Sequence, residues 1–309
     1  MTTAPAARLP SGVAVLERGW LSSNSVVLSG SDQVVVVDTG YWSHSAQTVE
    51  LLVTASSGLP VGCIINTHLH SDHCGGNAAL QRRFPRARTL VPPGQVALVR
   101  EWDPVALTYE PTGQHCPEFR VDGTVSAGSA VRIGDRDWQV HAAPGHDPHS
   151  VVLFEPETRT LISADALWEN GFGIVFPELE GERAFAEVAG TLDTIERLAP
   201  ALVIPGHGRT FTEVGASLDR ARSRLEAYVA RPDRHAAHAA KVLLKFKLLE
   251  FQRVPSRAFL DWALTTPYLS LVHSRWFASL PKSAWISGLL DDLERGGALV
   301  QADGDFCNA

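Results

Sequence analysis

The sequence is short of several things, and each shortage narrows its class. Its 309 residues include four cysteines, Cys63, Cys74, Cys116 and Cys307, with no two at CxxC spacing. Such a pattern offers neither a disulfide scaffold nor a zinc ribbon, and reduced thiols are expected. No apolar run approaches the roughly 20 residues that span a bilayer. Residues 1–10 lack the basic, then apolar, then small-residue order of a secretory leader. A cytoplasmic protein without a membrane partner is therefore expected. Positive charge is scarce too: 27 Lys and Arg stand against 34 Asp and Glu, a net −7. That balance does not suit a protein whose main task is to grip polyanions, so no nucleic-acid partner is expected.

What is present is an ordinary globular composition, 45% hydrophobic and 20% charged, with length for one large domain or a main domain and a small one. Short β-branched runs at 25–28, 33–37, 61–65, 138–141, 150–154 and 160–162 read as strands. Helical spacing appears at 43–55, 76–83 and 182–198, the last with Phe185, Val188, Leu192, Ile195 and Leu198 on one face. This is layered α/β patterning. Beyond residue 216 the pattern is mostly helical, at 215–230, 236–251, 256–264 and 284–294. A boundary at 216/217 is expected, with a catalytic domain 1–216 and a small helical domain 217–309. The last stretch, a helix stopped by Gly296 and Gly297 and followed by a short strand, is typical of a winged helix.

The chemistry concentrates between Ile64 and Gly76, where His68, His70, Asp72 and His73 fall within six positions after an apolar strand. Three imidazoles and a carboxylate so close together are metal-site composition. In an extended backbone His68 and His70 point to the same side and can share one ion, while Asp72 and His73 lie a turn onward and can reach a second. The spacing points to two metals.

This HxHxDH stretch resembles the signature of the metallo-β-lactamase fold superfamily, and the later elements of that signature can be located. His146 in Ala143-Pro144-Gly145-His146 resembles the third ligand of the first metal. Asp165 after Ser163-Ala164 resembles the bridging carboxylate, and His207 in Pro205-Gly206-His207-Gly208 the last histidine. The resemblance implies a four-layer αββα sandwich over about the first two thirds of the chain, with the small helical domain appended. It implies that His68, His70 and His146 hold one ion, that Asp72, His73 and His207 hold the other, and that Asp165 bridges. A hydroxide between the ions would attack a carbonyl, with Asp72 orienting it. Zinc is favoured; iron and manganese also suit mixed imidazole and carboxylate ligands.

Other residues carry two readings each. Asp38, ending the run Val34–Val37, either sits beneath the histidines and fixes their tautomers or caps a turn. Cys74 is expected to pack. His149, three after His146, is a catalytic candidate that either meets substrate, orients a ligand from behind or only packs, although many relatives place a histidine four after the ligand. Trp168, Phe172 and Phe176 wall the site or fill the core. His235, His238 and His273 lack metal spacing and are expected at the surface or in the core.

The full seven-ligand set and the helical appendage resemble the glyoxalase II and lactonase branches. A small-molecule ester, thioester or lactone is the expected substrate. Glyoxalase II relatives bring basic residues from C-terminal helices to a glutathione carboxylate, and Lys241, Lys245, Lys247 and Arg253 occupy that part of the chain; a solvated helix face is the expected role here. A nuclease of the same superfamily is the alternative, with the winged-helix pattern on its side. Charge opposes it: residues 217–309 hold 13 Lys and Arg against 10 Asp and Glu, while the metal-bearing part holds 14 against 24. Diiron oxidoreductases of the family resemble HxExDH, and His70 departs from that. Apolar and aromatic residues such as Trp262, Tyr268, Leu269, Leu271, Trp276 and Phe277 suggest that the appendage shapes the substrate entrance or forms a homodimer contact.

Overall fold

A computed structural model describes residues 8–309. Two sheets face each other. The first contains β1 (Val13–Leu16), β2 (Ser25–Ser29), β3 (Val34–Val37), β4 (Val61–Ile65), β5 (Arg88–Val91) and β6 (Gly123–Thr124), in that spatial order. The second contains β7 (Ala130–Ile133), β8 (Arg136–Ala142), β9 (Val151–Glu155), β10 (Thr160–Ala164) and β11 (Leu202–Pro205), in the order β11-β10-β9-β8-β7. In each sheet antiparallel pairing gives way to parallel pairing where the site lies, at β3-β4-β5 and at β10-β11.

The four valines of β3 show why this stacking follows from sequence. Val35 and Val37 point into the space between the sheets with Ile65, Trp138, Leu153 and Ile162. Val34 and Val36 point the other way, into a second core with Leu52 of α1 (Ser45–Ala55). A strand covered on both faces needs a continuous apolar run instead of alternation. After α2 (Ser71–Cys74), a single turn, α3 (Asn77–Arg83) adds Leu80 to that outer layer, and α4 (Val96–Glu101) closes a smaller cluster with Leu69 and Tyr109. On the far side, beyond the one-turn α5 (Phe176–Glu180), α6 (Phe185–Leu198) lays Val188, Leu192 and Ile195 on Phe154, Leu161 and Val203. The result is a four-layer αββα sandwich.

The helix α7 (Val214–Ala230) also belongs to that outer layer, because Val214, Leu218, Ala221 and Leu225 pack into the same cluster as α6. The boundary expected at 216/217 falls inside it. Another core gathers from Ala236 onward on α8 (Pro232–Phe251), and Ile174 and Leu179 of the chain after β10 pack into it. It continues through β12 (Arg253–Pro255), α9 (Ser256–Thr265), α10 (Pro267–Trp276), α11 (Lys282–Arg295), β13 (Leu299–Ala302) and β14 (Asp305–Asn308). The last three strands form a small antiparallel sheet with β14 in the centre. Helix α10 is absent from the sequence reading, since the break at Thr266 hides a helix that starts with proline at its first position, where no N–H is required. Its Tyr268, Leu269 and Val272 are buried in that core, against which Trp262, Trp276 and Phe277 also pack. Most of the aromatic surface expected to seek a partner is thus consumed internally. Among the described residues, no helix is long and apolar enough to cross a membrane.

His235, near the start of α8, is buried in this arrangement, and burial pushes its pKa down to about 4. An unfolded histidine titrates near 6.5. Between those values the unfolded chain takes up a proton that the folded chain refuses, so stability falls as pH falls through that window. Chelator-treated His235→Phe protein should lose about 2 kcal/mol less than wild type between pH 6.5 and 4.5 in denaturant titrations. Equal losses would show that His235 does not stay neutral in the fold.

Candidate metal centre

All seven expected ligands meet where the two sheets end on the same side. Strand β4 delivers Asn66 to His70, and the turn α2 then turns Asp72 and His73 inward. The second sheet delivers His146 after β8, Asp165 after β10 and His207 after β11. Strand β10 ends in a register shift against β11, and Ala164 adopts φ 47°, so the chain swings Asp165 out of the pleat into the site.

Three overlapping groups form. His68, His70 and His146 present ring nitrogens within reach of one another; His68 and His73 nitrogens gather likewise with a carboxylate oxygen of Asp165, and those of His73 and His207 with one of Asp72. His146 Nε2 lies 2.8 Å from His70 Nδ1 and 3.2 Å from His68 Nε2. Asp72 Oδ2 lies 3.0 Å from His207 Nε2 and 4.0 Å from His73 Nε2. Asp165 stands between the groups, its Oδ1 3.4 Å from His73 Nε2 and its Oδ2 3.4 Å from His146 Nε2.

The chain fixes which ring nitrogen faces inward. Asp38, held in a left-handed turn at φ 58°, accepts from the Thr67 N–H (2.9 Å) and hydroxyl (2.7 Å), and sits 2.7 Å from His73 Nδ1. It lies beneath the histidines. Among the described residues His73 Nε2 has no hydrogen-bond partner; it is buried and faces the carboxylates of Asp165 and Asp72. On the other side His146 Nδ1 donates to the Ile174 carbonyl at 2.5 Å, which turns its Nε2 to His68 and His70.

Electrostatics ask for positive charge at this point. Burial acts to lower the His73 pKa, but the carboxylates of Asp38, Asp165 and Asp72 outweigh it and hold it well above the ordinary value. For Asp165 burial acts to raise the pKa, and His73 and His207 overcome it and keep the carboxylate well below its usual range. Burial, then the neighbouring imidazoles, depress His68 strongly and bring His70 to about 4, so both are neutral bases near pH 7. Neutral imidazole lone pairs beside ionised carboxylates, with an orphaned buried nitrogen among them, are a donor set that fits divalent cations.

Glycine makes room for two of the candidate ligands. A Cβ on Gly206 would lie 2.2 Å from Asp165 Oδ1, and one on Gly173 would lie 2.5 Å from His146 Nδ1.

The cluster lines one side of a cavity of about 670 Å³. Phe172 and Phe176, on the loop after Asp165, form part of its wall, and Phe176 meets His70 edge-on at 4.9 Å. Across from them Val242, Phe246 and Leu249 line the cavity from α8; a spacing of four then three puts them on one helix face. Trp168 donates from Nε1 to Asp165 Oδ1 at 3.2 Å. Trp20, 58% exposed, stacks on His207 at 5.3 Å and 11°. Nothing in the local sequence marks Trp20, which arrives from a loop far along the chain. Gly206 stands in the Pro205-Gly206-His207 run, but that run does not show what its missing Cβ makes room for.

His149 does not join the site. It is not among the residues lining the cavity, and its ring lies against Gly94. The cause is local: the Asp147 carboxylate accepts the His149 N–H at 2.7 Å and closes a turn that sends the ring away, while Asp147 itself comes 3.9 Å from His70 Nε2. The substrate-side role expected of His149 is therefore corrected. Cys74 also points away, toward Tyr109 (3.2 Å) and Cys116 (3.8 Å). Of the basic residues on the appendage, Lys241 pairs with Asp292, Lys247 with Glu250 and Arg253 with Asp305. Lys245 lines the cavity but donates to Asn308 Oδ1 at 2.6 Å.

Known proteins resemble this chain in sequence and in fold. A hydroxyacylglutathione hydrolase of Synechococcus is 29% identical over 48% of this chain and 49% of its own length. The chain thus spans about half the length of the first curated relatives it matches. An acyl-coenzyme A thioesterase of Bos taurus is 25% identical over 64% of this chain and 78% of that protein. Among solved structures, a beta-lactamase domain protein of Burkholderia ambifaria superposes with a TM-score of 0.61 at 23% identity, covering 99% of this chain and 96% of that one. A profile described as the Metallo-beta-lactamase superfamily matches residues 18–207, from just before Trp20 to His207. With the profile covering more than half its length and ending on His207, the chain belongs to the metallo-β-lactamase superfamily.

Proposed function

We propose that this chain is a metal-dependent hydrolase that cleaves a small ester, thioester or lactone carrying a sizeable apolar group. The observation that carries the reading is the convergence of seven ligand side chains on one edge of a cavity walled by Phe172, Phe176, Val242, Phe246 and Leu249. His68 Nε2, His70 Nδ1 and His146 Nε2 would hold one ion, and Asp72, His73 and His207 the other. Asp165, with one oxygen toward each group, would bridge them. Zinc suits this donor set, and iron or manganese would also be accommodated.

Bound there, two divalent ions supply acidified water and polarisation of a carbonyl oxygen. The remaining work falls to the chain. Asp72, 15% exposed and so more open to the cavity than Asp165, is placed to orient the attacking water and to hold its proton. Trp168 fixes the Asp165 carboxylate through its indole N–H, and Asp38 fixes His73. The apolar wall excludes water from the acyl group and strengthens electrostatics at the cluster. An apolar wall and an acidic catalytic part favour an acyl substrate over a phosphodiester, and relatives named for acyl hydrolysis support the same reading. The unit from α8 to β14, whose order of helices and final hairpin is winged-helix-like, serves here as the cavity roof and not as a nucleic-acid reader.

Elemental analysis of protein purified without chelator should find nearly two equivalents of metal. Chelation should abolish, and zinc restore, hydrolysis on a panel of acyl esters, thioesters, lactones and a phosphodiester, with longer acyl groups turned over faster than acetyl. One equivalent, unchanged on adding zinc, would rule out the paired site; fastest turnover of the phosphodiester would promote the nuclease reading.

A further inference from the structure

We propose that His235, on the helix α8 outside the sandwich, sets the tautomer and aim of the metal ligand His146 through one peptide group. The proposal rests on the assignment of His146 as a ligand. The peptide is the one joining Ile174 to Val175. Its carbonyl accepts from His146 Nδ1 at 2.5 Å, and its N–H donates to His235 Nε2 at 3.1 Å. A peptide unit is planar and stiff, so fixing the direction of its N–H fixes the direction of its C=O. An amide that donates at one end and accepts at the other is also polarised, which strengthens both bonds.

The chemistry of the two rings gives this plane one orientation. His235 is buried against Phe185 and Tyr228, with ring centroids at 5.3 and 4.9 Å, and burial keeps it neutral. With Nε2 as an acceptor, its proton resides on Nδ1. A flipped peptide would set the Ile174 carbonyl against that lone pair and the Val175 N–H against His146, two mismatches in a place without exposed surface, since both Val175 and His235 are buried. The carbonyl therefore faces His146, His146 carries its proton on Nδ1, and Nε2 is left bare toward His68 and His70.

The loop holding this peptide is tied to the site on its other side too. The Gly173 N–H donates to the Asp165 carbonyl at 2.8 Å, and the Phe176 N–H reaches the His146 carbonyl at 3.4 Å. Those bonds locate the loop without deciding which way the Ile174 carbonyl points. His235 supplies that decision, and it is a positioning residue with no contact to substrate.

The test compares wild type with His235→Gln and His235→Phe, each stripped of metal and titrated with zinc against a chromophoric chelator. A glutamine oxygen can take the place of Nε2 as acceptor; phenylalanine keeps the ring and offers none. His235→Phe should weaken zinc binding about tenfold and speed its loss to EDTA, within the range for partners that orient ligands. His235→Gln should stay within about threefold of wild type. A folded His235→Phe that binds zinc like wild type overturns the proposal. Wild type that binds no zinc overturns it together with the ligand assignment, so the two failures are distinguishable. Should His235→Phe not fold, ¹⁵N NMR of wild type decides: a coupling across the Val175 N–H···Nε2 bond, with Nδ1 protonated, is expected, and a protonated Nε2 overturns the proposal.

Discussion

Asp165→Asn should lower turnover roughly a thousandfold, equivalent to about 4 kcal/mol of transition-state stabilisation, and bring metal content from about two equivalents toward one. The substitution preserves volume and leaves an oxygen for the Trp168 indole, so the wall of the cavity should stay in place. What it removes is charge. Asp165 stays ionised against the full opposition of burial because His73 and His207 surround it, and it alone shows an oxygen to each of two ligand groups. A neutral amide can offer one oxygen to one ion and would turn its NH2 toward the other. Metal analysis alongside kcat for the best ester is the measurement. Two equivalents retained with more than a tenth of wild-type turnover would remove Asp165 from the bridging position.

The second large effect comes from a residue with no functional group. Gly206→Ala places a methyl 2.2 Å from Asp165 Oδ1 and 2.9 Å from His73 Cε1, distances that no side chain tolerates. The backbone cannot retreat, because the Gly206 N–H donates to the Ala164 carbonyl at 2.8 Å and its own carbonyl accepts from Asn24 at 2.7 Å. Asp165 and His73 must give way by an ångström or so, and misplacement on that scale costs about a hundredfold in rate. Zinc affinity should fall with it, while the circular dichroism spectrum stays that of the wild type. Normal zinc affinity in this variant would mean that the ligands have more freedom than the packing around them allows.

Much of this architecture is written locally. The strand β3 and the histidine-rich turn after β4 carry their own periodicity and chemistry, and Pro-Gly-His at the end of β11 marks a candidate ligand. His146, Asp165 and His207 follow strands because a strand end is where a side chain can leave the pleat. Features formed by distant residues were not legible. Trp20 meets His207 across most of the chain, and His235 meets Val175 across a helix boundary; neither neighbour is marked by spacing. His149 misled because proximity in sequence to His146 says nothing about where a turn capped by Asp147 will aim it. The boundary near 216 was placed by composition, which registers a change to helix but not that α7 packs on the sheet with α6.

The candidate ligands are divided between the two sheets: His68, His70, Asp72 and His73 follow β4 of the first, and His146, Asp165 and His207 follow strands of the second. Ions held at this junction would therefore act as rivets between halves of the sandwich that are otherwise joined there by apolar packing and by a few hydrogen bonds, such as Asn24 to Gly206 and Val151 to Thr67. Only the native chain offers such a site, so occupancy adds RT ln(1 + [metal]/Kd) to stability, about 4 kcal/mol when free metal is a thousand times Kd. Metal supply during growth would then govern how much protein survives proteolysis in the cell, in addition to how active each molecule is.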